Sequence, residues 1–217
     1  MTERPILFSA PMVLALLAGR KTQTRRTVKP QPISVGRDPL ISFNHGTPEW
    51  SFGPEDRDAR GLRWWRCPFG QPGDVLWVKE TFRLPAEYDH LKPTLVRDGV
   101  PVWYEADGLA PEGWGKTRVS LHMQRRFSRL ALTITDVRVQ RLNECSDADA
   151  LAEGVVWSTP WHGFVVPGVE HPNPDFPVLS RVTAREMYAA LWDTINGSGA
   201  WLGNPWVWAV SFDIGKG

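Results

Sequence analysis

The sequence predicts a single domain of the α+β class, in which a small, mostly antiparallel set of strands closes into a β-barrel. Segments that alternate between polar and apolar residues recur along the 217-residue chain, as in strands with one buried face. Only three short segments have helical spacing, and they do not alternate with the strands in the βαβ rhythm of a parallel sheet. Such strands close most simply as a small antiparallel barrel.

The first predicted elements are a short helix over residues 10–18 and a basic strand over residues 21–28. Ser9 is a suitable N-cap, Pro11 fits the first turn, and Gly19 fits the left-handed position that ends many helices. The second segment contains three threonines and alternates in polarity, which favours an extended strand.

Further strands are predicted wherever alternation returns. The longest is expected to contain a bulge near Asp136, and its alternation places Val137 on the face opposite to Leu130 and Leu132. A strand rich in tryptophan and valine lies near the end of the sequence. The predicted strands cover residues 75–81, 101–105, 129–142 and 206–214.

Two capping boxes mark the remaining helices. Ser146 is followed three residues later by Asp149, and Gly154 ends this helix of about two turns. Thr183 is followed three residues later by Glu186, which opens a longer helix that stops at residues 196–197.

Two segments lack sustained periodicity and are rich in proline and other turn residues. They cover residues 31–72 and 155–182. We expect them to be long loop insertions within one domain that spans residues 1–217, because neither has the pattern of an independent core.

Composition limits the possible functions. The net charge is +1, so any affinity for nucleic acid must come from local patches of charge. The two cysteines, Cys67 and Cys145, form no metal-ligand motif, and the five histidines show no ligand spacing, so we expect no metal and no other cofactor. The chain lacks a signal peptide and a membrane-spanning run, which predicts a cytoplasmic protein without a membrane partner.

Two segments of the sequence contain basic residues and no acid. Either one could be an ordinary solvated face, or a surface that contacts phosphate groups. The first patch contains Arg4, Arg20, Lys21, Arg25, Arg26, Lys29 and Arg37, and the second contains Lys116, Arg118, Arg125, Arg126 and Arg129.

The pattern of residues in the first patch favours a catalytic role. Lys21 follows a predicted helix end, where the helix dipole favours the charged ammonium, while Arg20, Arg25 and Arg26 favour its neutral form. A lysine that can lose its proton is a candidate base for a neighbouring hydroxyl, and Thr24 is the obvious partner.

The same residues resemble the signature of the ASCH superfamily, barrel proteins related to the PUA RNA-binding domains. The matching pattern is Gly19-x-Lys21-x-x-Thr24-x-Arg26. Weaker landmarks follow in the family's order: the Gly73-Asp74 turn, residues 142–154 with their Ala-x-Ala-Glu-Gly ending, and the tryptophan-rich last strand. The resemblance implies a PUA-like barrel and a ligand that is a modified nucleoside or RNA.

One departure from the broad family pattern points to a particular activity. The family usually has glutamate where this chain has Thr24, and threonine there resembles the branch that removes the acetyl group from N4-acetylcytidine. The resemblance implies that Lys21 activates Thr24 as the nucleophile and that Glu153 protonates the leaving group. Glu153 also lies at the predicted end of the helix after Ser146, where the helix dipole favours a protonated carboxyl.

Other residues are expected to bind the ligand. Around the motif these are Gly19, Arg20 and Arg26, and beyond it they are Trp77, which could stack on a base, and Glu80, a second candidate acid. Glu80 could instead pair with an arginine of the first patch. The candidate phosphate contacts are Arg25, Arg26, Arg125 and Arg126.

Three alternatives remain open at this point. The strongest is a non-catalytic RNA-binding module that uses the same cleft for a base. A ribonuclease is less well supported, since there are no paired histidines and no carboxylate cluster. The third is a partner-binding protein that uses the insertions as its interface.

Overall fold

The structure is a computed structural model that describes residues 1–32, 40–44, 49–53, 63–159, 162–169 and 182–216. Within these ranges the chain forms twelve strands, three α-helices and several 3₁₀ turns. The strands are β1 (Glu3–Leu7), β2 (Gln23–Thr27), β3 (Leu40–Asn44), β4 (Glu49–Gly53), β5 (Arg63–Arg66), β6 (Val75–Lys79), β7 (Phe82–Arg83), β8 (Trp103–Tyr104), β9 (Leu130–Arg141), β10 (Val156–Ser158), β11 (Gly163–Val165) and β12 (Trp206–Lys216). The α-helices are α1 (Ala10–Leu17), α2 (Asp147–Ala152) and α3 (Ala184–Asn196).

Five strands form the central sheet in the order β1-β6-β9-β12-β2. Only the β1–β6 pair is parallel, and the other three neighbouring pairs are antiparallel. The predicted α+β class, with a mostly antiparallel sheet and few short helices, is therefore confirmed.

The described strands do not close into a barrel, because β1 and β2 are edges of the sheet and are not paired with each other. A side chain reaches from one edge towards the other, since Arg26 Nη2 donates to the carbonyl oxygen of Leu7 at 2.6 Å. In a closed barrel, backbone hydrogen bonds would join these two edge strands, and here a side-chain hydrogen bond lies between them instead.

The predicted bulge lies in β9. Thr135 has no partner on β12, while Asp136 and the residues before Thr135 are paired. The extra residue reverses the alternation. Val137 is therefore buried together with Leu130 and Leu132, and its predicted placement on the opposite face is wrong.

The three predicted helices form close to their expected limits. Gly19 adopts a left-handed conformation after α1, with a φ of +67°. Both capping boxes form, with Ser146 at the start of α2 and Thr183 at the start of α3. Ser9 precedes α1 as predicted, but its side chain makes no capping hydrogen bond. None of the helices in the described ranges is long and apolar enough to cross a membrane.

The first insertion is more regular than predicted. Within residues 31–72, strands β3, β4 and β5 form an antiparallel sheet, and Trp50 on β4 is 5% exposed. Its ring lies edge-on to Trp208 of the central sheet, with 4.9 Å between ring centroids. This contact joins the insertion to the main core. Residues 33–39, 45–48 and 54–62 of the predicted insertion lie outside the described residues.

The second insertion contains the hairpin of β10 and β11. Residues 160–161 and 170–181, which make up much of this predicted insertion, lie outside the described part of the chain. The main core contains buried residues from β1, α1, β9, α3 and β12. A smaller apolar cluster forms between residues 82 and 127.

Gly154 allows the end of α2 to approach α1. Its φ is +105°, and an added Cβ would lie 3.3 Å from the Cβ of Ala15. We expect Gly154→Ala to lower the free energy of unfolding by about 1–3 kcal/mol through backbone strain, plus a contribution from this close contact. Denaturant unfolding followed by circular dichroism measures the change.

The matched control is Gly197→Ala. Gly197 has nearly the same φ of +103°, but an added Cβ would meet nothing within 4 Å. Its substitution should therefore cause the strain alone. Equal losses of stability in the two variants would contradict a close approach of α2 to α1.

Candidate active site

A cavity of about 600 Å³ opens beside the edge strand β2. Its wall combines charged side chains from β2 with apolar and aromatic side chains from α1, α3 and the segment after β5. The residues used below are Phe8, Lys21, Thr24, Arg25, Arg26, Lys29, Phe69, Glu153, Tyr188, Trp192 and Trp208.

Lys21 lies inside the cavity wall because the chain turns sharply after α1. The backbone N–H groups of Arg20 and Lys21 both donate to the carbonyl oxygen of Ala15, at 2.9 and 3.1 Å. The Lys21 side chain is 2% exposed. Its Nζ donates to Glu153 Oε2 at 2.6 Å and to the carbonyl oxygen of Glu153 at 3.0 Å.

The surroundings of Lys21 favour its neutral form. Burial lowers the pKa of Lys21 below its usual value, and the positive charges of Arg26 and Arg25 add to this effect. The carboxylate of Glu153 acts in the opposite direction and does not overcome it. Burial is the larger cause of the lowered pKa, and the arginines, which were the expected cause, are the smaller one.

Glu153 is held at the end of α2, where it is the C-cap residue and is 3% exposed. The helix is tied to the start of β2, since the N–H of Thr22 donates to the carbonyl oxygen of Ala152 at 2.9 Å. Besides Lys21, the carboxylate contacts Arg25, whose Nη1 lies 3.4 Å from Oε1. Two cations therefore contact this carboxylate, whereas the sequence indicated only the effect of the helix dipole.

Thr24 is 3% exposed and contributes to the cavity wall. Its backbone pairs with Val210 of β12, which fixes the position of the side chain. Within the described residues, no hydrogen bond to the protein holds its hydroxyl. The hydroxyl is therefore free to meet a ligand in the cavity.

Helix α3 supplies one wall of the cavity, and none of its residues was predicted to belong to the site. Tyr188 and Trp192 are 4% and 5% exposed, and both line the cavity. Burial, followed by the charge of Glu153, raises the pKa of Tyr188 well above its usual value, so its hydroxyl stays protonated. The Trp192 Nε1–H is buried without a partner in the described residues. No local pattern in the sequence indicates that either residue faces a ligand.

Four residues expected to bind the ligand lie outside the lining of this cavity. Gly19 and Arg20 form the turn after α1. Trp77 is half-buried on β6, with Lys79 Nζ 5.5 Å from its ring centroid. Glu80 is 1% exposed and accepts two hydrogen bonds of 2.9 Å from Arg129. The partner of Glu80 is thus an arginine of the second patch, not of the first.

Most of the arginines expected to contact phosphate are engaged within the protein. Arg25 faces the carboxylates of α2, Arg125 pairs with Glu3 at 2.8 Å, and Arg126 lies 3.4 Å from Asp98. Arg26 differs from these three, because it has no carboxylate partner among the described residues. It is the member of this set that is best placed to act on a ligand in the cavity.

The cavity wall contains a lysine, a threonine hydroxyl and a carboxylate. Lys21 and Glu153 are in contact although they lie about 130 residues apart in sequence, and Thr24 lines the same cavity. Enzymes that transfer acyl groups through a covalent intermediate commonly combine a hydroxyl nucleophile with a neighbouring group that accepts its proton. No group of three or more potential ligands among the histidines, cysteines and acids of the described ranges could hold a metal ion.

Comparison of the chain with protein-family models, with curated proteins and with solved structures finds no match.

Proposed function

We propose that this protein is an amidohydrolase that removes the acyl group from an N4-acylated cytosine nucleoside such as N4-acetylcytidine. The observation that carries this proposal is the cavity lined by Lys21, Thr24 and Glu153, with a 2.6 Å hydrogen bond between the lysine and the glutamate. The resemblance of Gly19–Arg26 to the ASCH superfamily leads to the same substrate. A PUA-like architecture is part of this proposal, with the five-stranded sheet as its framework.

The first step is attack by Thr24. Lys21 in its neutral form takes the hydroxyl proton, and Thr24 Oγ1 adds to the carbonyl carbon of the acyl group. The guanidinium of Arg26 can stabilise the negative charge that develops on the carbonyl oxygen, since it lines the same cavity and forms no ion pair with a carboxylate of the described residues.

The second step releases the cytosine amine. The bond between the carbonyl carbon and the amine nitrogen breaks, and the nitrogen needs a proton. Lys21 now holds the proton from Thr24, and its hydrogen bond to Glu153 Oε2 provides a path for this proton to the carboxylate and onward to the nitrogen.

The third step restores the enzyme. A water molecule gives a proton to Glu153 and adds to the acyl-threonine ester. The ester bond breaks, the proton returns to Thr24 Oγ1, and the carboxylic acid leaves. Over the cycle one amide and one water become one amine and one carboxylic acid.

Aromatic side chains give the cavity the character of a nucleobase site. Phe8, Phe69, Trp192 and Trp208 all contribute to its wall. Aromatic rings bind the flat face of a base by stacking, and cavities of about 300–1,000 Å³ are usual for small-molecule ligands. The volume of about 600 Å³ thus supports a ligand of nucleoside size.

Chromatography tests this proposal directly. The purified protein should convert N4-acetylcytidine to cytidine and acetate.

The rate should also depend on pH. Because Lys21 must be neutral at the start, kcat/KM should rise with pH until the lowered pKa of Lys21 is passed, and then level off. A folded protein that turns over neither this nucleoside nor a panel of other acylated bases would overturn the proposal.

The binding of RNA without chemistry is a second candidate. It is favoured by Arg26 and Lys29, which line the cavity and have no carboxylate partner among the described residues. Such cations can hold phosphate groups, and the affinity would fall steeply as salt is added. Salt-dependent RNA binding that Thr24→Ala leaves unchanged, in a protein without turnover, would favour this candidate.

A further inference from the structure

Arg25 is a buried cation that lies between two carboxylates of α2. Its side chain is fully buried, with Nη1 3.4 Å from Glu153 Oε1 and Nη2 3.1 Å from Asp149 Oδ1. On its own strand, Nη1 donates to Gln23 Oε1 at 2.5 Å. A guanidinium has a planar fork of donors, so it can contact all three partners in one fixed orientation.

The Glu153 carboxylate is shared between two cations. Lys21 contacts Oε2 at 2.6 Å, while Arg25 contacts the other oxygen, Oε1. The two contacts fix the plane of the carboxylate. They also mean that Glu153 keeps a cationic partner when Lys21 becomes neutral.

We propose that Arg25 is a positioning residue that shares the Glu153 carboxylate with Lys21, so that Lys21 can give up its proton without leaving Glu153 an isolated buried charge. This role rests on the proposed function of Lys21 as a base. An unpaired charge in such a buried place is strongly destabilising. Arg25 removes that obstacle and holds the carboxylate in line with Lys21.

Asp149 completes this arrangement from the other side of the guanidinium. Although burial opposes it, hydrogen bonds from Ser146 and the charge of Arg25 lower the pKa of Asp149 to about 2. Asp149 is therefore anionic at neutral pH. It competes with Glu153 for the charge of Arg25.

Several ionisable groups surround the Lys21–Arg25 pair and contribute to its electrostatics. The groups from β2, the turn before α2, α2 and α3 are Arg26, Cys145, Asp149, Glu153 and Tyr188. Burial raises the pKa of Cys145 to about 12 and raises that of Tyr188 as well, so both stay neutral in the working pH range. The carboxylates and the arginines are then the charges that act on Lys21.

Arg25→Met tests the role of Arg25. It removes a positive charge near Lys21 and leaves Lys21 as the sole cation in contact with Glu153, and both changes favour the charged ammonium. The rising limb of the kcat/KM profile should therefore move to higher pH by about one unit. Arg25→Lys keeps the charge, so its rising limb should stay close to that of the wild-type protein while kcat falls.

Asp149→Asn should move the profile in the opposite direction. It frees Arg25 to act more fully on Glu153, which favours neutral Lys21. The side-chain oxygen of asparagine can still accept the hydrogen bond from the Ser146 N–H that closes the capping box. A merely structural role for Arg25 predicts lower stability in both variants without any movement of the limb. The proposal would be overturned if the rising limb of the kcat/KM profile did not move in Arg25→Met, or if it moved in the same direction in both variants.

A second readout needs no substrate. The pKa of Lys21 can be measured by NMR titration of ¹³C-labelled lysine, assigned with Lys21→Met. The same opposite shifts are expected in Arg25→Met and Asp149→Asn. A protein that shows these shifts but no turnover would uphold the role of Arg25 and contradict the proposed amidohydrolase activity. If Arg25→Met does not fold, an unchanged pKa of Lys21 in Asp149→Asn would still overturn the inference.

Discussion

Thr24→Ala is expected to abolish the turnover of N4-acetylcytidine, lowering kcat by about 10⁴-fold or more. The substitution removes the only atom that the proposed mechanism places in covalent contact with the acyl group. Steady-state kinetics by chromatography measure the loss. Thr24→Ser keeps a hydroxyl in the same place and should retain measurable turnover.

Thr22→Ala is the matched control for this result. Thr22 lies two residues earlier, is exposed, and is not part of the cavity wall. Its backbone contact to Ala152 does not depend on its side chain, so kcat should be unchanged. Wild-type turnover by folded Thr24→Ala would contradict the role of Thr24 as nucleophile.

Lys21→Met is expected to have a double effect. It removes the base, which lowers kcat by about 10²–10⁴-fold. It also breaks a buried ion pair and leaves Glu153 with one cation in place of two. The free energy of unfolding should therefore fall, but by less than the roughly 3–5 kcal/mol that a fully unpaired buried charge costs. Denaturant unfolding and kinetics on the same preparation measure both effects.

A double-mutant cycle separates the ion pair from general damage to the core. Lys21→Met with Glu153→Gln should destabilise the protein by less than the sum of the two single substitutions, because the second change removes the carboxylate that lost one of its two cations in the first. Lys116→Met, at an exposed lysine away from the cavity, should stay within about 0.5 kcal/mol of wild type. Strict additivity of Lys21→Met and Glu153→Gln would contradict a direct interaction between the two side chains.

Local patterns in the sequence predicted the elements that depend on local contacts. The capping boxes at Ser146 and Thr183 and the left-handed Gly19 set the ends of the helices through hydrogen bonds within a few residues. The bulge near Asp136 also follows from a break in local alternation. For the same reason, the motif around Lys21 and Thr24 could be noticed before any tertiary contact was known.

Long-range contacts were the part that could not be predicted. The sequence gives no local indication that the guanidinium of Arg25 faces Asp149 and Glu153, or that Tyr188 forms a wall of the cavity. The predicted barrel assumed that the sheet edges meet through their backbones, whereas Arg26 contacts Leu7 with its side chain. The strand β4 was missed because its position depends on the contact between Trp50 and Trp208, which lie far apart in sequence.

The most direct test of the central claim is a search for the acyl-enzyme. The protein, in excess over N4-acetylcytidine, is quenched in acid at a series of times, and the peptide that contains Thr24 is examined by mass spectrometry. The proposed mechanism predicts the mass increase of one acetyl group on Thr24 while cytidine is being formed, and none in Thr24→Ala. Formation of cytidine with the acetyl group on another residue or on none, or no formation of cytidine, would contradict it.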